Sequence, residues 1–261
     1  RSSLAGSPDG LDLRVESGDR QTTADAADSL FLALDEDPYA LLARAAEDVV
    51  QHVGLGRLRR DKVTPGFARG LGWCTWDAFY GEVSHDKVRQ GLESFRDADV
   101  PLWFMIVDDG WLDTRELEAG APERRLASFQ ANEKFPGGLL AMSRMAREDF
   151  GLRRFLVWHA AQGYWNGIDP DAFPGYRVLE QRKHFSAALL EHFPEANEIW
   201  HGDRLSLVVP DDVARFYQEF HRALKGQGVD GVKIDAQNNL EAVADGASGC
   251  VRLMSAYARA M

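Results

Sequence analysis

Acidic, basic and aromatic side chains stand together at the ends of three apolar runs of this sequence. The runs are FMIVDDGW at 104–111, RFLVWHA at 154–160 and GVKIDAQ at 231–237. Buried strands that carry carboxylates and indoles at their C-terminal ends build the active sites of parallel α/β barrels. The sequence therefore predicts an enzyme.

Lys233 and Asp235 stand two residues apart in the third run. Residues i and i+2 of a strand point to the same face, so both side chains should project into the mouth of a barrel. A lysine at this place would keep Asp235 ionised and could donate a hydrogen bond to a ligand hydroxyl. An ordinary interior salt bridge has the same spacing, and the spacing alone leaves both interpretations open.

Asp108 and Asp109 are adjacent, so they cannot share one face of a continuing strand. At a strand end, where the chain turns through Gly110, both can still reach one ligand, and neighbouring carboxylates are good acceptors for ligand hydroxyls. A lone Asp-Asp-Gly is more often a turn that caps a helix, because turns select Asp and Gly. The preceding apolar strand and the flanking Trp111 favour a ligand-binding pair over such a turn.

Indole rings are the third chemical group near these strand ends. An indole offers an apolar face to a ligand ring, and its N–H can donate to a hydroxyl. We expect Trp76, Trp111 and Trp158 to line such a site, and Trp103, at the start of a strand, to lie in the core.

Two further side chains should point away from the site if their strands keep a regular alternation. His159, next to Trp158, is predicted to be a packed residue, and Cys74 a buried thiol.

Helix and strand patterns alternate around these motifs. A helix should begin at Asp37-Pro38 and end at Gly54. The apolar runs that follow are continuous, as expected for a sheet covered on both faces. The predicted segments are strands at 71–76, 102–107, 155–160 and 228–235, a long loop at 112–137, and an irregular insertion at 162–210 with one helix around 178–192.

The predicted fold class is α/β. We count about four β/α units, which are the N-terminal half or so of a TIM-type (β/α)8 barrel. Residues 1–36 are rich in Ser, Asp, Gly and Thr, and are predicted to be weakly ordered or the remnant of a preceding module. Residues 37–261 form the barrel segment. The sequence begins at Arg1 without an initiator Met, so we expect it to belong to a longer chain.

Composition limits the partners that this chain can take. A net charge of -11 on 261 residues argues against a nucleic acid or an anionic membrane, because both would repel the surface. A neutral small molecule fits better. Cys74 and Cys250 are far apart and lack the spacing of a zinc site, so free thiols and no cofactor are expected. With few cysteines and no signal-peptide pattern, we expect a cytoplasmic protein.

Four motifs in a fixed order resemble a known family. They are GWCTWDAFY at 72–80, VDDGW at 107–111, VWHAAQGYWNG at 157–167 and GVDGVKIDAQNNLE at 228–241. From about residue 38 onward the chain closely resembles the raffinose synthase and seed imbibition protein group, the alkaline α-galactosidase-like branch of glycoside hydrolase family 36. The resemblance implies a (β/α)8 catalytic barrel and retaining chemistry on α-galactosides, by hydrolysis or by galactosyl transfer.

The resemblance also implies roles for single residues. In a retaining glycosidase one carboxylate attacks the anomeric carbon, and a second, about 5 Å away, protonates the leaving oxygen. The family's nucleophile falls on Asp235, and Asp108 and Asp109 correspond to the pair that holds galactose. The family's acid/base comes from a later strand, whose motif no residue of this sequence matches. We therefore expect the 261 residues alone to be inactive.

Three hypotheses about function remain open at this point. The first is a retaining α-galactosidase, the second a raffinose synthase-type transferase that moves galactose from galactinol to sucrose, and the third a non-catalytic sugar-binding barrel. A metal-dependent hydrolase is disfavoured because the sequence has no HxH or HxxxH pair.

Overall fold

A computed structural model of the protein describes residues 2–21, 28–54, 56–192, 194 and 202–261. The chain divides into two compact units, one formed by Arg1–Glu16 with Thr23–Arg69 and the other by Ser17–Thr22 with Gly70–Met261. Residues 37–69 group with the N-terminal segment in this division, and the boundary predicted at residue 36 stays a prediction.

The first unit holds a hairpin and a helix. Strands β1 (Ser2–Ser7) and β2 (Gly10–Val15) pair antiparallel, within the stretch predicted to be weakly ordered. Helix α1 (Pro38–Val53) has the predicted bounds. The Asp37 side chain caps its first turn, and Gly54, with φ 67°, ends it in the left-handed conformation that glycine adopts at low cost.

The second unit holds the elements that surround the strand-end motifs. In chain order they are β3 (Gly72–Cys74), α2 (Trp76–Phe79), α3 (His85–Asp97), β4 (Phe104–Val107), β5 (Leu112–Glu116), β6 (Arg124–Ala131), α4 (Gly138–Glu148), β7 (Arg154–Ala160), β8 (Val178–Arg182), α5 (Ala187–His192), β9 (Arg204–Val208), α6 (Pro210–Gly226), β10 (Gly231–Asp235), α7 (Asn238–Ala242) and α8 (Gly249–Ala260).

A four-stranded parallel sheet carries the motifs. Its order is β10-β7-β4-β3, so each strand lies beside the strand of the same sheet that follows it in the chain. Helices α3, α4 and α6 connect the successive strands. Consecutive parallel strands joined by helices are the repeating unit of a (β/α)8 barrel. The predicted α/β class is confirmed, as is the count of four β/α units.

Apolar side chains from these helices and strands form one core. Val88 and Leu92 of α3 are buried beneath the sheet, as the helical spacing requires. Trp103, predicted for the core, is half-buried just before β4 and lies 3.7 Å beneath the guanidinium of Arg153. No helix among the described residues combines the length and apolar character of a membrane span.

The predicted loop and insertion contain more strand than expected. Residues 112–131 form the antiparallel hairpin β5–β6, not a loop. Residues 178–182 form strand β8, paired with β9, so the helix predicted around 178–192 is wrong over its first half and begins only at Ala187. The tertiary pairing of Glu180 with Ser206 Oγ at 2.5 Å overrides the weak local preference. Residues 195–201 of the insertion lie outside the described part of the chain.

The two hairpins are joined through the segment 166–169. Leu126 bridges Ile168, and Gly167 bridges Ser206, in both cases in parallel. Strands β5, β6, β8 and β9 together with residues 166–169 are called the insertion layer below. Both of its hairpins follow the C-terminal ends of sheet strands, so the layer stands on the side of the sheet where the motifs end.

His159 lies on the helix-facing side of β7, where it was predicted to be a packed residue. It is fully buried, its Nδ1 is 2.9 Å from the Ala160 carbonyl, and its Nε2 is 3.2 Å from Nε2 of His221 on α6. A carbonyl can only accept, so Nδ1 carries the proton and Nε2 accepts from His221. Burial lowers the pKa of His159 to about 4 and also lowers the pKa of His221.

We expect this buried histidine to weaken the fold in acid. In the unfolded chain it takes up a proton near its ordinary pKa of 6.5, but in the folded state only near 4. The contribution of His159 to the free energy of unfolding is therefore constant above pH 6.5. It falls toward pH 4, by about 3 kcal/mol at the lower end.

Thermal unfolding midpoints of the complete protein at pH 7.5 and 4.5 test this effect. His159→Phe should lose much less stability on acidification than the wild type, whereas His184→Phe, at an exposed position, should lose as much. Equal losses in all three proteins would contradict the assignment.

Candidate active site

The sheet brings three of the predicted motifs together at one edge. Asp108 and Asp109 follow β4, Trp158 lies on β7, and Lys233 and Asp235 end β10. In the parallel register Lys233 is level with Trp158, and Val107, the last residue of β4, is level with Val157. The strand-end side chains of β4, β7 and β10 therefore lie within hydrogen-bonding reach of one another.

An ion pair connects the two outer strands of this group. Lys233 Nζ lies 2.6 Å from Asp108 Oδ2, with Asp108 almost fully buried and Lys233 36% exposed. Burial lowers the pKa of Lys233, but the hydrogen bond and charge of Asp108 outweigh it, and the net pKa is raised. The sequence predicted that Lys233 would support Asp235; its hydrogen bond goes to Asp108, while the charge of Asp235 also contributes to raising the pKa of Lys233.

Asp108 is held at both carboxylate oxygens. Besides Lys233, its Oδ2 accepts the Cys74 thiol at 2.8 Å, and its Oδ1 accepts the Asp109 N–H at 2.9 Å. Its own N–H donates to Thr75 Oγ1 at 2.9 Å. Cys74 was predicted to be a buried thiol pointing away; it is half-buried and faces the site, because β3 ends at Cys74 and the alternation ends with it.

Asp109 has a different environment from its neighbour. Its Oδ2 accepts Trp165 Nε1 at 2.7 Å, and Tyr164 also donates to it. Its Oδ1 is buried and has no hydrogen-bond partner among the described residues. Burial raises the pKa of Asp109, against the lowering effect of these donors. A buried carboxylate oxygen without a donor is costly, and a ligand hydroxyl at this place would satisfy it.

Asp235 is oriented by two neutral donors. Trp158 Nε1 donates to its Oδ2 at 3.1 Å, and the Ala236 N–H donates to its Oδ1 at 2.7 Å. Ala236 adopts φ 55°, a left-handed conformation that costs a non-glycine residue about 1 kcal/mol. The backbone bends sharply just after Asp235, and this bend aims the Ala236 N–H at the carboxylate.

The chain also turns sharply after the aspartate pair. Gly110 has φ 111°, and a Cβ built on it would lie 2.5 Å from the Gly81 carbonyl oxygen. Only glycine fits this backbone and this contact. Asn132 donates to the Gly110 carbonyl at 2.9 Å, which fixes the turn from its other side. The predicted turn through Gly110 thus carries the chain from the site into β5.

The three candidate tryptophans have different roles. Trp111 is fully buried and donates its Nε1–H to the Trp158 carbonyl at 2.8 Å. Trp158 is also fully buried, and its Nε1–H is used on Asp235. Neither ring offers a face to solvent, so both position other groups where stacking was expected. Trp76 is 36% exposed, edge-on to Tyr80, and its stacking role stays a prediction.

Several residues of the site were missed by sequence reasoning. Trp165, Tyr164 and Thr75 all bond to the aspartate pair. Trp165 and Tyr164 lie inside the motif VWHAAQGYWNG, which could have drawn attention to them. They come after the end of the strand, in a turn whose direction cannot be predicted from strand alternation. Thr75 and Cys74 lie inside GWCTWDAFY in the same way.

No group of three or more His, Cys, Asp or Glu in the described part of the chain is arranged to hold a metal ion. The buried charge of Asp108 is balanced by an ammonium group, that of Lys233. The arrangement can present one oriented carboxylate, Asp235, beside a pair of carboxylates with hydroxyl-accepting capacity.

The Cys74–Asp108 hydrogen bond can be tested by thiol alkylation. Burial, followed by the hydrogen bond to Asp108, raises the pKa of the Cys74 thiol. Asp108→Asn removes the carboxylate and leaves Lys233 nearby, so we expect severalfold faster reaction of Cys74 with iodoacetamide at pH 7.5.

Mass spectrometry of the alkylated protein supplies the readout and the controls. Cys250, buried in the core, should stay unmodified as long as the fold is intact. Asp149→Asn, at a half-exposed carboxylate remote from Cys74, should leave the rate unchanged. An Asp108→Asn rate equal to that of the wild type would refute the hydrogen bond.

Solved structures of known enzymes share this fold. An α-galactosidase of glycoside hydrolase family 36 from Geobacillus stearothermophilus, in complex with raffinose, is 16% identical; the match covers 77% of this chain and 27% of that one, with a TM-score of 0.53. A complex of the same enzyme with stachyose gives a TM-score of 0.51 at 15% identity and the same coverage. The shared part belongs to a TIM-barrel catalytic domain, which confirms the predicted (β/α)8 barrel class.

Sequence relatives are more similar. A probable galactinol–sucrose galactosyltransferase of Arabidopsis thaliana is 35% identical over 278 residues, covering 100% of this chain and 37% of the relative. A galactinol–sucrose galactosyltransferase of Pisum sativum is 30% identical, covering 97% of this chain and 35% of the relative. The chain thus spans little more than a third of the length of these relatives.

A family model supplies the broadest match. The family described as raffinose synthase or seed imbibition protein Sip1 matches residues 1–261. This match includes all four motifs and every side chain of the candidate site. The chain therefore belongs to the raffinose synthase and seed imbibition protein family.

Proposed function

We propose that the complete protein cleaves the α-galactosidic bond of a small carbohydrate with retention of configuration, with Asp235 as the nucleophile. The observation that carries the proposal is the placement of Asp235. Its carboxylate is aimed by Trp158 and Ala236 at the end of β10, while Lys233, two residues earlier, binds the buried Asp108 of β4. A fixed carboxylate beside a hydroxyl-binding pair fits the nucleophile's half of a retaining glycosidase site, whose other half is a carboxylic acid.

The reaction takes place in two displacements. In the first, an Asp235 oxygen bonds to the anomeric carbon, the glycosidic carbon–oxygen bond breaks, and the leaving oxygen takes a proton from an acid. In the second, a hydroxyl oxygen attacks the same carbon, gives its proton to the conjugate base and releases Asp235. We assign the acid/base to no residue of this sequence, because none matches the family's motif.

Galactose would be held by the aspartate pair. Asp109 Oδ1 is the buried acceptor without a partner, so a sugar hydroxyl is the group that would complete its hydrogen bonding. The Lys233 side chain is 36% exposed while it is bound to Asp108, so its ammonium group can also donate to a sugar hydroxyl. Trp76 is the partly exposed indole for stacking on the sugar ring.

The acceptor in the second displacement decides between two activities. Relatives at 30% and 35% identity are named galactinol–sucrose galactosyltransferases, which supports transfer to a carbohydrate hydroxyl. The similar solved structures are named α-galactosidases, which supports hydrolysis as the second candidate. The two activities use the same first displacement and the same residues.

Azide rescue tests the role of Asp235. Asp235→Ala should lower the turnover of an aryl α-galactoside by at least about 10⁴-fold, because the first displacement loses its nucleophile. Azide that enters from the vacated face should restore part of the rate and yield β-galactosyl azide, identified by NMR. The matched variant Asp211→Ala, at an exposed carboxylate of α6, should keep full activity. An α-configured azide product, or a folded Asp235→Ala variant with normal turnover, would refute the role.

Product analysis separates transfer from hydrolysis. With galactinol as donor and sucrose in excess, the complete protein should form raffinose faster than free galactose. If galactose accumulates at the same rate with and without sucrose, transfer is refuted and hydrolysis is the activity.

A further inference from the structure

A cavity lies in the insertion layer, away from the carboxylates of the candidate site. Its volume is about 250 Å³. One wall comes from the β5–β6 hairpin and the other from the segment that follows Ile168. The lining residues are Arg115, Glu116, Leu117, Arg125, Asp169, Pro170 and Asp171.

Two arginines stand opposite each other in this wall. Arg115 and Arg125 are directly paired in the antiparallel register of β5 and β6. Like charges at such positions destabilise a sheet. The cost is offset from outside the hairpin, by Asp169 at 2.5 Å from Arg115 and by Glu180 at 2.7 Å from Arg125. The insertion layer thus keeps two guanidinium groups together on one face with the help of two acids from other segments.

Arg125 still has unused hydrogen-bonding capacity. Its Nε is buried and has no acceptor among the described residues, although its terminal nitrogen binds Glu180. A buried N–H without an acceptor is unfavourable. Because Arg125 also lines the cavity, a hydroxyl oxygen bound there is a group of the right kind to satisfy it.

The charges of the lining exclude an anionic ligand. The two arginines carry two positive charges, and Glu116, Asp169 and Asp171 carry three negative ones. Such a mixture offers donors and acceptors side by side without a net positive field, which is suited to a neutral ligand rich in hydroxyl groups. Pockets for drug-sized molecules measure about 300–1,000 Å³, so a cavity of about 250 Å³ suits one sugar residue.

The cavity is also within reach of the candidate site. Trp165 bonds to Asp109, and the chain continues directly from Trp165 to Asp169 at the cavity wall. Four residues span at most about 14 Å even when fully extended. A galactose bound at the aspartate pair and a sugar in the cavity could therefore belong to one oligosaccharide or to a donor and its acceptor.

We propose that this cavity, with Arg115 and Arg125 as its hydroxyl-binding groups, is a subsite for a neutral sugar residue other than the transferred galactose. The proposal rests on the proposed function, since it gives the cavity the remainder of a galactoside or the acceptor that receives the galactosyl group.

Kinetics of the complete protein test the subsite. Raffinose extends beyond its galactose by two sugar residues, whereas an aryl α-galactoside does not. Arg115→Met should lower the ratio of kcat/KM for raffinose to kcat/KM for the aryl α-galactoside by about tenfold. Asp171→Asn, a second change in the lining that leaves the hairpin intact, should lower the same ratio severalfold.

Arg182→Met is the matched control. Arg182 also forms an exposed ion pair on the insertion layer, 2.7 Å from Asp203, but does not line the cavity. It should leave the ratio unchanged. An unchanged ratio in both Arg115→Met and Asp171→Asn, with unfolding midpoints equal to that of the wild type, would overturn the subsite.

A direct binding measurement separates this proposal from the proposed function. If the wild-type protein cleaves no α-galactoside, the proposed function fails. Calorimetry with sucrose as the probe then decides on the cavity alone. Binding weakened about tenfold by Arg115→Met and unaffected by Arg182→Met supports the subsite; no binding, or binding insensitive to Arg115→Met, overturns it.

Discussion

The ion pair between Lys233 and Asp108 joins two strands that are not neighbours in the sheet. Lys233 lies on β10, two residues before its end, and Asp108 follows β4, so the pair crosses β7, which lies between them. A buried carboxylate loses several kcal/mol of hydration, and the lysine recovers much of that loss. Removing the lysine would leave Asp108 charged and buried with only neutral donors, Cys74 and the Asp109 N–H. This one contact therefore links the ends of β4 and β10 across β7, at the edge of the sheet on which the site is built.

Because the hydrogen bond of Lys233 goes to Asp108, the hydrogen bonds to Asp235 come from an indole and a backbone N–H. Neutral donors orient a carboxylate while withdrawing less of its negative charge than a bound ammonium group would. The left-handed bend at Ala236 and the full burial of Trp158 both serve this orientation. Asp109 accepts a hydrogen bond from Trp165 at one oxygen, and its other oxygen is buried without a hydrogen-bond partner among the described residues. Under the proposed function, the β4 carboxylates bind the sugar and the β10 carboxylate attacks it.

The apolar strands were predictable because burial on both faces leaves continuous runs such as FMIV, and the pairing of Lys233 and Asp235 on one face followed from strand alternation. The prediction that Cys74 points away from the site was wrong, because the three-residue strand ends at Cys74 and strand alternation ends with it. The insertion layer was hidden because segments such as LDTRE and VLEQR are polar, and ion pairs between distant segments stabilise them. For Trp111 and Trp158 the residue type suggested stacking, but burial and a specific N–H acceptor decided their part.

Identification of the residue that becomes bonded to galactose tests the central claim most directly. The complete protein would be treated with a fluorinated galactosyl fluoride, which forms a galactosyl-enzyme that breaks down slowly, and its proteolytic peptides would be sequenced by mass spectrometry. The account predicts one added fluorogalactosyl group, bonded to Asp235 in the segment GVKIDAQ. A label on Asp108 or Asp109, or turnover that leaves Asp235 unlabelled while another carboxylate is modified, would contradict it.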